Sequence, residues 1–198
     1  MLSYEESLKI LKETNALLEG HFILSSGLHS KQYIQCAQLL SKPKKSEIIC
    51  SSLCDKINNE FNKIDIVLSP AIGGIVVGYE IGRQLDKETI FAERENGELI
   101  LRRNFNIKNK SNVLIVEDVI TTGKSAEECS KIVERFNSTV VGYACIIDRT
   151  SDKSKINKKI ISQIKFNIDT FNKDNLPKEL INIPAIKPGS RNLKKWSV

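Results

Sequence analysis

One segment organises the whole sequence: Val113-Leu114-Ile115-Val116-Glu117-Asp118-Val119-Ile120-Thr121-Thr122-Gly123-Lys124-Ser125. An apolar run of strand length ends in two adjacent carboxylates, and a loop of small hydroxylated residues then leads into a predicted helix. The N–H groups and hydroxyls of such a loop bind a phosphate at the helix N-terminus, where the helix dipole favours negative charge. A ribose would separate that phosphate from the carboxylates and donate its hydroxyls to them. The segment therefore predicts a clamp for a sugar phosphate.

Two other interpretations of this segment are weaker. The tripeptide Gly123-Lys124-Ser125 is typical of the end of a nucleotide-binding P-loop, which requires a further glycine five residues before Gly123. Asp118 occupies that position, and a carboxylate has the wrong charge for a phosphate cradle. A buried strand followed by a capped helix would also end in polar residues. Two carboxylates followed by Thr-Thr-Gly-Lys-Ser exceed what a cap requires.

Short apolar runs alternate with helical patterns along the middle of the chain. Strands are predicted at residues 64–68, 89–93, 113–116, 140–147 and 164–168, and helices at 46–61, 73–85 and 126–136. Residues 99–103 are predicted to pair with 89–93 across a hairpin at Asn96-Gly97. This α/β order predicts a mostly parallel central sheet flanked by helices on both faces, with ligands at the carboxyl ends of the strands.

The two ends of the chain fit this sheet poorly. A leucine pattern between residues 8 and 18 predicts an amphipathic helix near residues 3–19. Residues 1 to about 40 and 170–198 are expected to pack together as a small hood over the ligand edge of the sheet. The 198 residues should then form a single domain, with a core at about 41–169.

Composition argues against a nucleic-acid or membrane protein. The net charge of +6 comes from residues 150–198, which hold 11 basic and 4 acidic residues, whereas residues 1–149 hold 19 and 20. The basic cluster from Lys153 to Lys165 has no interleaved aromatic residues that could stack bases, so a solvated face is expected. No apolar run is long enough to cross a membrane, and the acidic first residues are unlike a signal peptide. A cytoplasmic protein is therefore expected.

The five cysteines are expected to be core residues rather than a disulfide framework or a metal site. An odd number without a leader does not indicate paired disulfides. Cys50 and Cys54 lie one helical turn apart, but no second pair of ligands with suitable spacing accompanies them.

Segment 113–125 resembles the phosphoribosyl pyrophosphate (PRPP) motif of the type I phosphoribosyltransferases. Further segments resemble the orotate phosphoribosyltransferase family within that group, namely residues 18–30, 69–74, 91–94, 147–149 and 183–191. They follow the order and spacing of that family over nearly the whole chain. The resemblance implies the type I phosphoribosyltransferase fold. It also implies transfer of the 5-phosphoribosyl group from PRPP to N1 of orotate, giving orotidine 5′-monophosphate and pyrophosphate.

The resemblance also implies roles for individual residues. PRPP is expected on Glu117, Asp118, Val119, Ile120, Thr121, Thr122, Gly123, Lys124, Ser125 and Arg94, with its pyrophosphate over Ala71, Ile72, Gly73 and Gly74. Mg²⁺ is expected between ribose and pyrophosphate oxygens, held through substrate and water rather than by a cage of protein ligands. Orotate is expected on Thr121 and Arg149, because its carboxylate needs a cation. Asp118 and Arg94 are the expected catalytic residues.

Residues 94–103 occupy the position of the mobile catalytic loop of the family, which closes over the leaving group and reaches into the neighbouring subunit. A homodimer with shared active sites is therefore implied, with Arg94 on the pyrophosphate and Arg102 and Arg103 as second choices. Many members carry lysine where this chain has Ser25 and Gly73, so other groups must meet part of the pyrophosphate charge.

Simpler roles remain open for several of these residues. The glycines at 73 and 74 would also suit helix–strand packing, and the arginines at 94–103 would suit an exposed hairpin. Arg149 would also suit an ion pair with Asp148 or Asp152. The histidines at 21 and 29 are expected to be structural, because this displacement needs no strong general base.

Two alternative functions also remain open. One is a phosphoribosyltransferase for another base, against which Arg149 and residues 20–30 argue. The other is a regulator that senses PRPP and binds nucleic acid. That function requires a basic face on the core, which the balanced charge of residues 1–149 does not provide.

Overall fold

The computed structural model describes residues 1–24, 26–150 and 156–188. The elements, in chain order, are α1 (Tyr4–Glu13), β1 (Leu17–Ile23), β2 (His29–Ile34), α2 (Cys36–Leu40), α3 (Pro43–Glu60), β3 (Ile66–Pro70), α4 (Gly73–Leu85), β4 (Glu88–Glu95), β5 (Glu98–Leu101), β6 (Asn112–Ile120), α5 (Lys124–Arg135), β7 (Thr139–Asp148), β8 (Ile160–Lys165), β9 (Thr170–Phe171) and α6 (Lys178–Ile181). Predictions that involve Ser25, Asp152, Lys153 or the end of the hood at 189–198 lie outside the described residues.

The main sheet has six strands in the order β5-β4-β3-β6-β7-β8, and all neighbours are parallel except β4 and β5. Strand β6 lies in the interior, with Val113 level with Ile66 of β3 and with Val140 of β7. Its side chains alternate between two apolar layers. Leu114 and Val116 pack in the layer formed with α3 and α4, and their odd-numbered neighbours pack in the layer of α5. The predicted fold class is confirmed.

Three predicted boundaries are wrong for physical reasons. The last strand of the main sheet is β8 at Ile160–Lys165 rather than 164–168, because its neighbour β7 ends at Asp148, which pairs with Lys165. The first helix ends at Glu13 because the Thr14 hydroxyl donates back to the carbonyl oxygen of Ile10, 2.7 Å away, and Asn15 has φ of 57°. The leucines at 17 and 18 therefore belong to β1. Strand β6 continues to Ile120, which pairs with Asp148 of β7. The two carboxylates consequently lie inside the strand rather than after it.

A second, three-stranded sheet forms the hood from both ends of the described chain. Strands β1 and β2 are antiparallel, and β9 joins β2 with His29 opposite Phe171. Residue Ile186 bridges to Phe22 of β1. The predicted hood of N- and C-terminal segments is confirmed, although α1 packs on the main core, where Gln163 Nε2 of β8 donates to Ser7 Oγ at 2.8 Å. The limits of the core and hood stay predictions.

The predicted hairpin turn and the predicted core positions of the cysteines are confirmed. The hairpin turns at Asn96 and Gly97, whose φ values of 51° and 91° suit a two-residue turn between twisted strands. All five cysteines are free and buried in the core. None of the helices in the described ranges is long and apolar enough to cross a membrane.

Candidate active site

A cavity of about 870 Å³ lies between the hood and the carboxyl ends of β6 and β7. The core contributes Asp118, Val119, Thr121, Thr122 and Arg149 to its wall. The hood and α2 contribute Ile23, Leu24, Ser26, Gln32, Tyr33, Ile34, Gln35, Cys36, Ala37, Lys187 and Pro188, and Ile168 completes the wall. The structure thus brings five residues of the predicted substrate site to one cavity, namely Asp118, Val119, Thr121, Thr122 and Arg149. A smaller cavity of about 390 Å³ at the hood contains none of the predicted site residues.

The two adjacent carboxylates do not face the same way, because successive side chains of a strand point to opposite faces. Asp118 lies on the cavity wall. Glu117 is 9% exposed and faces α5, where Glu128 and Cys129 are close enough to interact with it electrostatically. Its Oε1 atom has no hydrogen-bond partner among the described residues. Of the two adjacent carboxylates, the structure therefore places Asp118 on the cavity wall and Glu117 away from it.

Burial makes this pair of acids reluctant to ionise. The pKa of Glu117 is raised to about 8. Desolvation is the largest cause, and the negative charges of Asp118 and Glu128 add to it. Burial also raises the pKa of Asp118, although N–H donors at Asp118 and Val119 act in the opposite direction. A cation near this strand end would relieve the repulsion and favour both ionised forms.

Helix α4 begins against Asp118. A Cβ atom on Gly73 would lie 2.9 Å from Asp118 Oδ1, and one on Gly74 would lie 3.1 Å from the Val116 carbonyl oxygen. Both glycines let the helix approach β6 closely, which supports the packing role left open by the sequence. A residue with a side chain would not fit at position 73 unless Asp118 changed its conformation. Residues 71–74 are not on the cavity wall.

The loop after β6 forms the predicted start of a helix. Gly123 has φ of 76°, and α5 begins at Lys124, whose N–H donates to Thr122 Oγ1 at 3.4 Å. The first turn of a helix presents N–H groups that have no acceptor within the helix. The loop can therefore offer N–H groups and hydroxyls to an anion that reaches past Thr121 and Thr122. The Lys124 ammonium is turned along the helix, 3.9 Å from Glu128.

Arg149 extends the edge of the sheet beside the phosphate loop. Its N–H donates to the Ile120 carbonyl oxygen at 2.8 Å. Its Nε atom is buried and has no partner among the described residues. Burial lowers the pKa of the guanidinium, which nevertheless stays charged in proteins. Within the described residues no ion pair joins Arg149 to Asp148, whose carboxylate instead accepts from the Thr150 N–H at 2.8 Å.

The hairpin arginines lie away from the cavity wall. Arg94 donates to Glu128 Oε2 of α5 at 2.6 Å and also to the Gly97 carbonyl oxygen. Arg103 pairs with Glu93 at 2.9 Å, and Arg102 pairs with Glu95 at 3.3 Å. Each arginine therefore holds a carboxylate of its own chain in this conformation. A contact with pyrophosphate would require Arg94 to exchange that partner.

The donors fit a metal that is held mainly by substrate. No group of three or more His, Cys, Asp or Glu side chains in the described ranges could hold a metal ion. Mg²⁺ is often bound through one or two carboxylates together with substrate phosphates and water. Asp118, on the cavity wall, suits that mode, whereas Glu117 faces α5 and would act on such an ion through its charge.

Several residues on the cavity wall were not predicted from the sequence. Tyr33 and Gln35 carry no local pattern that indicates a site. Cys36 Sγ donates to the Asp118 carbonyl oxygen at 3.9 Å, so this core cysteine also supports the strand end. Lys187 lies in segment 183–191, which resembles the family, but no role was predicted for this lysine. The resemblance of that segment was the one signal in the sequence that could have indicated it.

A match to a family model gives the class of this protein, which is a phosphoribosyltransferase. Residues 37–175 match the model of the phosphoribosyl transferase domain family. The chain is also similar to a solved structure of orotate phosphoribosyltransferase from Aeropyrum pernix, with a TM-score of 0.70 and 23% identity over 80% of this chain and 92% of that chain, which shows a shared fold.

Two curated relatives narrow the class. The orotate phosphoribosyltransferase of Parvibaculum lavamentivorans is 42% identical over 97% of this chain and 100% of its own length. That of Methylorubrum populi is 45% identical over 96% of this chain and 98% of its own length. The chain belongs to the orotate phosphoribosyltransferase family.

Glu117→Gln should remove a pH-dependent loss of stability. The pKa of Glu117 rises from 4.5 to about 8 on folding, so between these values the folded protein binds a proton that the unfolded chain has lost. The free energy of unfolding of the wild type therefore falls as pH rises through this window. Glutamine stays neutral, so the variant should gain stability relative to the wild type, by at most roughly 5 kcal/mol at about 1.4 kcal/mol per pKa unit.

Urea unfolding at about pH 5 and pH 8 measures this effect. Glu134→Gln, on the exposed face of α5, serves as the matched control and should keep the wild-type pH slope. An equal stability difference between wild type and Glu117→Gln at both pH values would contradict the assignment.

Proposed function

We propose that this protein transfers the 5-phosphoribosyl group of PRPP to N1 of orotate, releasing pyrophosphate and forming orotidine 5′-monophosphate in pyrimidine biosynthesis. The observation that carries the proposal is the single cavity that joins Asp118, the Thr121–Thr122 loop and Arg149. Side chains suited to accept ribose hydroxyls, to bind a phosphate and to pair with a carboxylate therefore line one cavity. The full-length similarity to orotate phosphoribosyltransferases supports orotate as the base.

The phosphate loop would hold the 5′-phosphate of PRPP. Hydroxyls of Thr121 and Thr122, together with N–H groups at the start of α5, are suited to its oxygens. Asp118, nearby on the same wall, would accept hydrogen bonds from the ribose hydroxyls. Contacts with the 5′-phosphate and with the hydroxyls would together fix the orientation of the ribose. C1 would then face the base, which lowers the entropic cost of reaching the transition state.

The base would lie on the hood side of the cavity. Its ring can pack on the apolar side chains of Ile23, Leu24 and Ile168. Arg149 would pair with the carboxylate that distinguishes orotate from uracil, because a guanidinium can form two parallel hydrogen bonds to it. The buried Nε of Arg149, which has no partner among the described residues, would gain one in this way.

The leaving group would lie toward residues 71–74, since Gly73 abuts Asp118 on the side of α4. Mg²⁺, when bound, would neutralise part of the pyrophosphate charge as the bond to C1 breaks. Glu117 and Asp118 would favour that cation because their own repulsion falls when it binds. The 94–103 hairpin would close over the pyrophosphate in a homodimer with shared sites, with Arg94 as the contacting residue.

Other functions have less support. A phosphoribosyltransferase for another base would have no carboxylate for Arg149 to pair with. A regulator that senses PRPP would not need a binding surface for the base, such as the apolar wall and Arg149 provide. That the enzyme acts in the cytoplasm stays a prediction from the sequence.

The wild-type protein should consume orotate when PRPP and Mg²⁺ are present. The loss of orotate absorbance measures this consumption. Asp118→Asn should lower kcat/KM by about 100-fold or more, roughly 3 kcal/mol of transition-state stabilisation, because a neutral amide replaces the charged acceptor of the ribose hydroxyls. Asp174→Asn, at an exposed turn of the hood, is the control and should retain activity. Turnover of uracil or hypoxanthine without turnover of orotate would overturn the assignment, and full activity in excess EDTA would refute the need for Mg²⁺.

Arg149→Ala should raise the KM for orotate and leave that for PRPP nearly unchanged. A carboxylate left unpaired in a partly dry site costs roughly 2–4 kcal/mol. The variant should also narrow the difference between orotate and uracil as substrates, and Arg149→Lys should recover only part of the loss. Steady-state kinetics measure these effects, with Arg135→Ala at the end of α5 as control. A raised KM for PRPP alone would move Arg149 to the phosphate site.

Sharing of the active site between subunits can be tested by mixing two variants, each inactive by itself. Arg94→Ala and Asp118→Asn subunits should recover part of the wild-type activity after exchange, because one site of each hybrid dimer then contains both intact groups. Subunit exchange can be followed with differently tagged chains. Complete exchange without any recovery would show that Arg94 serves its own chain.

A further inference from the structure

The geometry points to Lys187 as a binding residue for the orotate carboxylate, contributed by the hood; this inference rests on the proposed function. Lys187 lies on the wall of the same cavity as Arg149 but comes from the hood, whereas Arg149 follows β7 of the core. The two cations would then approach the base carboxylate from the hood and from the core.

The backbone before Lys187 is fixed to the hood. The Ile186 N–H donates to the His21 carbonyl oxygen at 2.8 Å, and its carbonyl oxygen accepts from the Ile23 N–H at 2.8 Å. His21 Nδ1 lies 2.7 Å from the Ile183 carbonyl oxygen, within hydrogen-bond distance. Three hydrogen bonds therefore hold the segment 183–186 on β1, and the Lys187 side chain starts from an anchored position.

A second imidazole supports this anchor. His21 Nε2 lies 2.6 Å from His29 Nδ1 of β2, and both rings are buried. The pair ties β1, β2 and the segment before Lys187 to one another. This contact is consistent with the structural role predicted for both histidines.

The charges on the wall leave Lys187 available to a ligand. Among the described residues of the wall, the charged side chains are Asp118, Arg149 and Lys187. Lys187 is exposed and forms no ion pair or hydrogen bond with the rest of the described chain. An ammonium on a flexible four-carbon stem can turn into a cavity without displacing an existing partner.

The apolar surroundings favour the carboxylate over the phosphates as its ligand. Ile23 and Leu24, which lie beside the anchored segment, form the surface on which the flat base would pack. The 5′-phosphate has its own donors at Thr121 and Thr122, and residues 71–74 are not part of this wall. The charged group of a base lying against Ile23 and Leu24 is its carboxylate, and Lys187 lines the same wall.

The test is a kinetic comparison of Lys187→Gln with wild type in both reaction directions. The KM should rise about tenfold for orotate in the forward reaction and for orotidine 5′-monophosphate in the reverse reaction, because a charge-assisted hydrogen bond is lost. The KM values for PRPP and pyrophosphate should stay within about twofold, which is less than one such bond. Lys187→Arg should restore much of the loss, and Lys173→Gln, an exposed lysine of the hood away from the cavity wall, should behave as wild type.

Three results would overturn the inference. Unchanged kinetics in Lys187→Gln, with an active wild type, would mean that this lysine touches no substrate, and the proposed function would stand. A rise confined to PRPP or pyrophosphate would assign Lys187 to the phosphates. A wild type that does not turn over orotate would overturn both this inference and the proposed function.

Discussion

Two ionisable carboxyl groups at the end of an interior strand, Glu117 buried and Asp118 half-buried, constrain the rest of this structure. Strand β6 has neighbours on both sides, so Glu117 and Asp118 cannot be solvated from the edges of the sheet. Strand alternation sends one carboxyl group toward α5 and the other toward the start of α4. Gly73 begins α4 directly against Asp118, and the positive end of a helix dipole is favourable for a carboxylate. The repulsion that remains makes this strand end a place where a cation and sugar hydroxyls bind favourably.

The hood turns this strand end into an enclosed site. It is built from segments far apart in the chain, which meet through the β2–β9 pairing and the bonds of Ile186 to β1. The resulting wall is apolar where a base ring would pack and cationic at Arg149 and Lys187. A core with acids and a phosphate loop thus faces a hood that adds the surface for the base. Binding of both substrates would exclude water from C1, where the reaction occurs.

Much of the core followed from local pattern. The parallel sheet came from buried apolar runs separated by helical periods, and the start of α4 at Gly73 and the turn at Asn96-Gly97 came from their glycines. The end of α1 did not, because leucines at 17 and 18 fit a helical face and a strand equally well. Only the back-bonding Thr14 and the left-handed Asn15 decide between the two.

The site was predictable where one segment carries it and not where distant segments meet. The phosphate loop and Arg149 follow strand ends, and strand ends of a parallel sheet share one edge. The divergence of Glu117 and Asp118 was missed because acids are rarely placed inside a buried strand, so β6 was expected to end at Val116. The position of Lys187 depends on the pairing of Ile186 with β1, which no local pattern encodes.

The most direct measurement of the central claim is a crystal structure with orotidine 5′-monophosphate bound. The proposed orientation of the substrates predicts the phosphate on residues 121–125, the ribose hydroxyls on Asp118 and the base carboxylate beside Arg149 on the hood side. A nucleotide bound in the reverse sense, with its phosphate at Arg149 and its base at the start of α5, would contradict it. So would a nucleotide bound outside the cavity between the hood and β6.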